Sequence, residues 1–236
     1  MITILTWFWR QKHSRATYYA DDVNRWARMV KRNITIPCRI ACVTNQPAGI
    51  DDSIEIIPLP KFQPVNNKRW CERKGLPQCY PRLDMFRRDA ANTYGERFLC
   101  MDLDSIITGN IDSLIDRPED FVMYSGTSGK RPYNGSMLLM AAGCRPQVYE
   151  KFTPEHAEKA SRLYVGSDQA WISYALGWLE ATWTVDDGVN YWNKKIFPQY
   201  DSPPPPDMKI LFFCGPTKPR KVISKLHPSI QRAYHV

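Results

Sequence analysis

An α/β fold around an open, mostly parallel sheet is predicted by three features of this sequence. Short apolar runs alternate with an amphipathic helical segment over residues 1–60. A buried strand-like run, RFLCM, stops at a pair of aspartates, Asp102 and Asp104. Neither an internal repeat nor a linker-like stretch interrupts the chain, so residues 1–236 are expected to form one domain.

The elements follow in order. ITILTW is a short buried-strand run. In YADDVNRWARMVKR, Val23, Trp26, Ala27 and Val30 recur at helical spacing. Asp21 or Asp22 suits the positive end of that helix's dipole, and Lys31 and Arg32 suit the negative end. CRIACVT and SIEIIPL are β-rich runs separated by the turn residues NQPAGIDD. Strand, helix, strand, strand at this spacing predicts parallel early strands. Residues 61–80 are polar, basic and aperiodic, and read as a long loop.

PRLDMFRRDAANTYG reads as a helix with Leu83, Phe86 and Ala90 on one side. RFLCMDLDSIITG reads as a strand that ends in the aspartates. FVMYS and SMLLMAA are further strands, with TSGKRPYNG between them as a turn-rich loop. SDQAWISYALGWL opens with a serine at the helix-capping position. PPPP at 203–206 reads as an extended spacer, and KILFF as a last strand running into CGPTKPR.

Composition bounds the function. Hydrophobic residues make up 43%, close to globular usage, which excludes extensive disorder. The formal charge of +8 favours anionic partners such as phosphates. KPRKVISK is the densest basic cluster. It reads as solvated charge, with contact to an anionic membrane surface as the alternative. Neither an aromatic RNA-binding signature nor a helix-turn-helix pattern is present, so specific nucleic-acid recognition is not expected. Seven scattered cysteines (Cys38, Cys42, Cys71, Cys79, Cys100, Cys144, Cys214) form neither a disulfide frame nor a zinc motif. The apolar start lacks a preceding basic residue and a cleavage site, so a cytoplasmic location is expected.

The aspartate pair carries the chemistry. Ligands of open parallel sheets collect at the carboxyl ends of strands. In extended chain, side chains two residues apart point the same way, so the carboxylates of Asp102 and Asp104 would converge. A divalent cation would relieve their repulsion, and hard oxygen ligands suit Mg²⁺ or Mn²⁺. The ordinary alternative is a capped turn, since Asp is common where strands end.

RFLCMDLDSIITGNIDSLID resembles the D-x-D segment of the family 8 glycosyltransferases, followed by a G-(N/D)-(I/L)-D-x-L stretch. YPRLDMF is similar to the family's arginine-bearing helix, YNGSMLLM to its sugar-contacting strand, and GSDQAWI to its D-Q segment. CGPTKPR resembles its H-x-x-G-x-x-K-P-W ending. The N-terminal part, with YYADDVNRWARMVKRNITIPCRIACVT, also resembles a group of bacterial and phage relatives. The matches run in order over residues 1–220.

That resemblance implies a GT-A fold, a Rossmann-like nucleotide-sugar-binding sheet flanked by helices, and hexose transfer from a UDP-sugar with retention of configuration. It implies Mn²⁺ or Mg²⁺ on Asp102 and Asp104, with Asp102 also near the ribose. Leu103 falls between them among the donor-binding positions. Gly215 and Lys218 would contact the diphosphate. Arg82, Asn134, Asp168 and Gln169 would surround the donor sugar, with Gln169 near the anomeric carbon. Thr6 and Trp7 would lie by the base. The acceptor is left open: a glycan, a lipid-linked sugar or a protein.

Each position has an ordinary alternative. Arg82 reads equally as a surface cation, Asn134 as a turn residue, Asp168 as a helix N-terminal charge and Trp7 as core. Two positions depart from the family pattern. Phe212 stands where the family has its metal-binding histidine, and Arg220 replaces the closing tryptophan. The missing ligand leaves an inert nucleotide-sugar- or glycan-binding module as the competing reading. A nucleotidyltransferase is disfavoured because TWFWRQKHSRATYY, after the first strand, contains no glycine for a phosphate loop.

Overall fold

The computed structural model describes residues 1–11, 17–62, 78–213, 215 and 217–235. Most of the basic loop, with Cys71, lies outside the described residues, as do His13 and Cys214.

Strand β1 (Ile2–Phe8) is buried at all seven positions. Ile4 and Phe8 join the core on one sheet face, and Leu5 and Trp7 join the core on the other. This is why ITILTW reads as a continuous apolar run: a central parallel strand is covered on both sides. Helix α1 (Ala20–Arg32) begins and ends where its charges suggest. Its Val23, Trp26, Ala27 and Val30 pack into the same core as Ile4. Strands β2 (Cys38–Thr44) and β3 (Glu55–Pro58) run parallel to β1, as expected.

The segment expected as one helix is broken. Tyr80–Phe86 is a 3-10 helix, Arg87 is extended (φ −65°, ψ 149°), and a single turn α2 (Ala91–Tyr94) follows. Tyr80, Leu83 and Phe86 recur every three residues, the 3-10 period, and all are buried. The buried Asp84 carboxylate anchors this piece by accepting a hydrogen bond from the Tyr94 hydroxyl at 2.8 Å.

Next come β4 (Arg97–Met101), β5 (Ser105–Ile107) and the turn α3 (Asp112–Ile115). TSGKRPYNG is not a loop. Most of it extends the hairpin of β6 (Phe121–Ser128) and β7 (Arg131–Ala141), and the turn shrinks to Gly129–Lys130. Gly126 permits this, since a Cβ there would sit 1.4 Å from the Arg131 carbonyl oxygen.

Helices α4 (Gln147–Glu150), α5 (Pro154–Leu163) and α6 (Asp168–Leu176) precede β8 (Ala181–Trp183). Ser167 occupies the capping position of α6, but its side chain does not cap the helix. Its Oγ instead accepts from the Cys79 N–H at 3.0 Å. Strands β9 (Val189–Tyr191) and β10 (Ile210–Phe212) then lead to α7 (Pro219–Val222) and α8 (Pro228–Tyr234). Of the proline run, residues 203–205 are irregular, while Pro206 begins a turn.

The main sheet has the order β3-β2-β1-β4-β7-β6-β8. Four of its six pairings are parallel, the exceptions being β7 with β4 and with β6. A second sheet, β5-β10-β9, packs beside it through β5, which continues the chain from β4. The mixed, mostly parallel sheet matches the expected fold class. Among the described residues, no helix is long and apolar enough to cross a membrane.

Replacing Tyr94 with Phe leaves the buried Asp84 carboxylate short of a donor. Stability is expected to fall by about 1.5–3 kcal/mol, the range for hydrogen bonds to charged groups. Urea denaturation measures this, and a loss below ~0.5 kcal/mol would show that the anchor is dispensable.

Candidate functional site: a cleft around two aspartates

The site lies at the carboxyl ends of β1 and β4, neighbours in the sheet. Strand β4 stops at Met101, and Asp102, Leu103 and Asp104 form a turn before β5. The strand alternation expected to align the two carboxylates therefore does not apply. They converge because the turn is pinned by backbone bonds from three directions. The Asp102 N–H donates to the Ser136 carbonyl at 2.9 Å and Ser105 Oγ donates to the Asp102 carbonyl at 2.8 Å. The Phe213 N–H donates to the Asp104 carbonyl at 2.9 Å. Strands β7 and β10 thus fix the turn in place.

Each carboxylate is matched by a cation. Arg82 Nη1 lies 3.0 Å from Asp102 Oδ1, and Lys218 Nζ bonds Asp104 Oδ2. Arg82 is no surface cation: it is buried, and its Nη2 also donates to the Gly135 carbonyl at 2.5 Å. Its Nε stands 3.6 Å from Asp168 Oδ2, an ion pair without a formed hydrogen bond. Burial opposes its charge, but Asp102, then Cys100 and Asp168, hold the guanidinium well above its ordinary pKa. Burial pushes the Asp102 carboxyl up to about 6, with Arg82 pulling it down and Asp104 and Asp168 adding to the rise. Burial likewise raises Asp168.

A cleft of about 1020 Å³ opens over the turn. Trp7, Arg82, Asp102, Leu103, Asp104 and Lys218 line it, six of the positions singled out from the sequence. Trp9, Tyr18 and Asn45 line it as well. Trp7 meets Trp9 edge-on, with centroids 5.7 Å apart. The Trp7 indole Nε1 is buried without a hydrogen-bond partner among the described residues, and so are Thr6 Oγ1 and Asp104 Oδ1.

Thr6, Asn134, Asp168, Gln169 and Gly215 do not line this cleft. Asn134 is buried, and its Oδ1 accepts from the Ser136 N–H at 3.0 Å. Both ends of the Gln169 amide are committed to backbone. Oε1 accepts from the Gly135 N–H at 3.0 Å, and Nε2 donates to the Val165 carbonyl at 2.6 Å. Asp168 stands behind two cleft residues, paired with Arg82 and linked to Cys79 through Ser167. Gly215 has φ +97°, a left-handed conformation suited to glycine.

Tyr18 was not found from the sequence. Burial raises its hydroxyl's pKa, and Asp104, Asp102 and Asp22 raise it further, which places the phenol among the carboxylates. The only sequence signal was its position just before the acidic first turn of α1. Ser136, whose side chain bonds Asp102, was missed because its partner lies in the turn after the neighbouring strand, 34 residues away in sequence.

For a metal, the oxygen set fits. Asp104 Oδ1 is buried and without a hydrogen-bond partner among the described residues, and the turn offers a second carboxylate beside it. Among the described residues, no third His, Cys, Asp or Glu completes a group. Phe212 lies fully buried in β10, stacked on Tyr124 at 5.5 Å. His156 stacks on Trp171 and His227 caps α8, so neither stands in for the missing ligand. Nor is KPRKVISK simply solvated, since Lys218 bonds Asp104 and Arg220 bonds Asp22.

Replacing Arg82 with Ala leaves the buried Asp168 carboxylate and the half-buried Asp102 carboxylate without their cation, at an expected cost of about 3 kcal/mol at neutral pH, the low end for a buried pair because Asp102 is partly solvated. Both carboxyls would then bind protons more tightly folded than unfolded. The deficit is therefore full above their raised pKa values and shrinks as pH falls through them. Urea stabilities of the variant and the parent at about pH 5 and about pH 8 check this sign. A deficit independent of pH would count against it.

No protein-family model matches the chain, and a search of curated proteins finds no match. Solved structures do match. The galactosyltransferase LgtC, in complex with donor and acceptor sugar analogues, is similar over 99% of this chain and 95% of its own, at 14% identity and a TM-score of 0.60. The glycosyltransferase GlyE of Streptococcus pneumoniae TIGR4 is similar over 93% of this chain and 56% of its own, at 14% identity and a TM-score of 0.57. At such identities the likeness shows the fold: this chain has the mixed α/β architecture seen in those two glycosyltransferases.

Proposed function

We propose that this chain, as one domain, is a glycosyltransferase that takes a hexose from a UDP-sugar with the help of Mn²⁺ or Mg²⁺. One observation carries the reading: a buried carboxylate oxygen without a hydrogen-bond partner among the described residues, Asp104 Oδ1, at the floor of an aromatic-walled cleft at the sheet's carboxyl edge. The resemblance of its motifs to family 8 glycosyltransferases and the fold shared with LgtC and GlyE support it.

Asp102 and Asp104 would hold the metal, which supplies positive charge against the departing diphosphate. The chain's own residues do the rest. Trp7, Trp9 and Tyr18 form flat walls suited to a nucleoside, and the unpartnered Trp7 indole offers it a donor. Lys218 sits on a flexible stem at the cleft wall and would move from Asp104 to the diphosphate. There its charge meets negative charge as it develops. Arg82 fixes the Asp102 carboxylate in one orientation. Asn134, Asp168 and Gln169 hold β7 and Arg82 in place at the sugar end, which makes them positioning groups. The resemblance to the family 8 glycosyltransferases implies retention of configuration, with the acceptor hydroxyl entering on the leaving-group side.

The second reading is an inert binding module. The lack of a third ligand among the described residues favours it.

The test is release of UDP from a panel of UDP-sugars, with and without Mn²⁺. Metal-dependent release is expected, falling at least ~100-fold in Asp104→Asn, the scale for losing one electrostatic contact to the transition state. Saturable UDP binding without turnover, under any acceptor tried, would favour the binding module. Absence of nucleotide binding would overturn both readings.

A further inference from the structure

A second cavity, of about 360 Å³, adjoins the aspartate cleft and shares Thr17, Tyr18, Tyr19, Leu103 and Lys218 with it. Four cationic side chains line it, Arg25, Lys218, Arg220 and Lys221, against one carboxylate, Asp22. Asp104 answers Lys218 from outside this lining, so Arg25, Arg220 and Lys221 stand against Asp22, an excess of positive charge in a half-open cavity that favours an anion.

The cations are held by the fold. Asp22 accepts from the Tyr19 N–H at 3.0 Å, from Arg25 Nη1 at 3.0 Å and from Arg220 Nη2 at 2.5 Å. Arg25 also donates to the Tyr234 hydroxyl at 2.9 Å and lies 4.6 Å over that ring's centroid. Arg220 lies 4.8 Å over the Tyr19 ring. One carboxylate with three donors has little capacity left, while 48% of the Arg220 side chain remains exposed. Guanidinium groups stacked on aromatic rings and pre-oriented by a carboxylate are suited to a tetrahedral oxyanion, which they can grip by two nitrogens.

We propose that this cavity is a phosphate-binding pocket, lying beside the aspartate turn and joined to it through Leu103 and Lys218. The inference does not rest on the transferase reading, because the charge and the cavity are there whichever reaction the neighbouring cleft serves. The phosphate comes either as a free ion or as a phosphate group of a nucleotide that extends across Lys218. Both present the same oxyanion.

Calorimetric titration of the full chain with inorganic phosphate tests the pocket, alone and with saturating UDP. Arg220→Gln and Lys221→Gln are the variants. Lys221 is exposed and Asp22 keeps Arg25 in the first variant, so the fold is expected to persist. Phosphate affinity is expected to fall about tenfold in each, the scale of one charge-assisted hydrogen bond. If phosphate still binds in the presence of UDP, the pocket serves a free ion. If UDP displaces phosphate, and both substitutions also weaken UDP, it reads a nucleotide phosphate. Phosphate binding unchanged by both substitutions, or no binding at millimolar phosphate, overturns the proposal.

Discussion

Two carboxylates close together at the end of a buried strand have to be neutralised, and the way this chain does so organises the molecule. Removing a charge from water costs several kcal/mol unless a partner is supplied. Asp102 takes its cation from Arg82, 20 residues earlier, and Asp104 takes its cation from Lys218, 114 residues later. The 3-10 helix before β4 and the segment after β10 are therefore tied to one three-residue turn. The backbone bond from Phe213 to Asp104 ties the small sheet to the same point. The turn is the junction of the two sheets as well as the floor of the cleft.

The two cations are not equivalent. Arg82 is buried, with a planar group committed to Asp102, Gly135 and Asp168, so it serves as a fixed part of the scaffold. Lys218 is a compact charge on a long stem, which can turn to another anion without disturbing the backbone. Arg82 thereby locks one carboxylate, while Asp104 keeps one oxygen, Oδ1, without a hydrogen-bond partner among the described residues. The basic cavity beyond Lys218 continues the same pattern, with Asp22 holding Arg25 and Arg220 in place.

Much of this architecture was legible because local pattern reports local environment. The unbroken apolar run of β1, the spacing of Val23, Trp26, Ala27 and Val30, and the halt of β4 at Asp102 all follow from burial on one or two faces. The failures have a common cause. TSGKRPYNG looks like a loop because its turn-forming residues outnumber its apolar ones, whereas Gly126 just before it lets the strand approach Arg131 on its partner closely. PRLDMF carries a three-residue repeat that passes for a helical one over so short a stretch. The aspartates were placed in extended chain because nothing local reveals that Ser136 and Phe213 will bend them into a turn. Tyr18, and the pairing of Arg220 with Asp22 across 198 residues, depend on contacts that no periodicity encodes.

The central claim is that Asp104 Oδ1 is the open ligand position of a divalent-metal site that Lys218 guards. The most direct measurement is anomalous diffraction from crystals grown with UDP and Mn²⁺. A manganese peak within bonding distance of Asp104 and Asp102, with the Lys218 ammonium moved from Asp104 onto the diphosphate, is the result the account predicts. Bound UDP with no metal at the turn, and Lys218 still on Asp104, would contradict it.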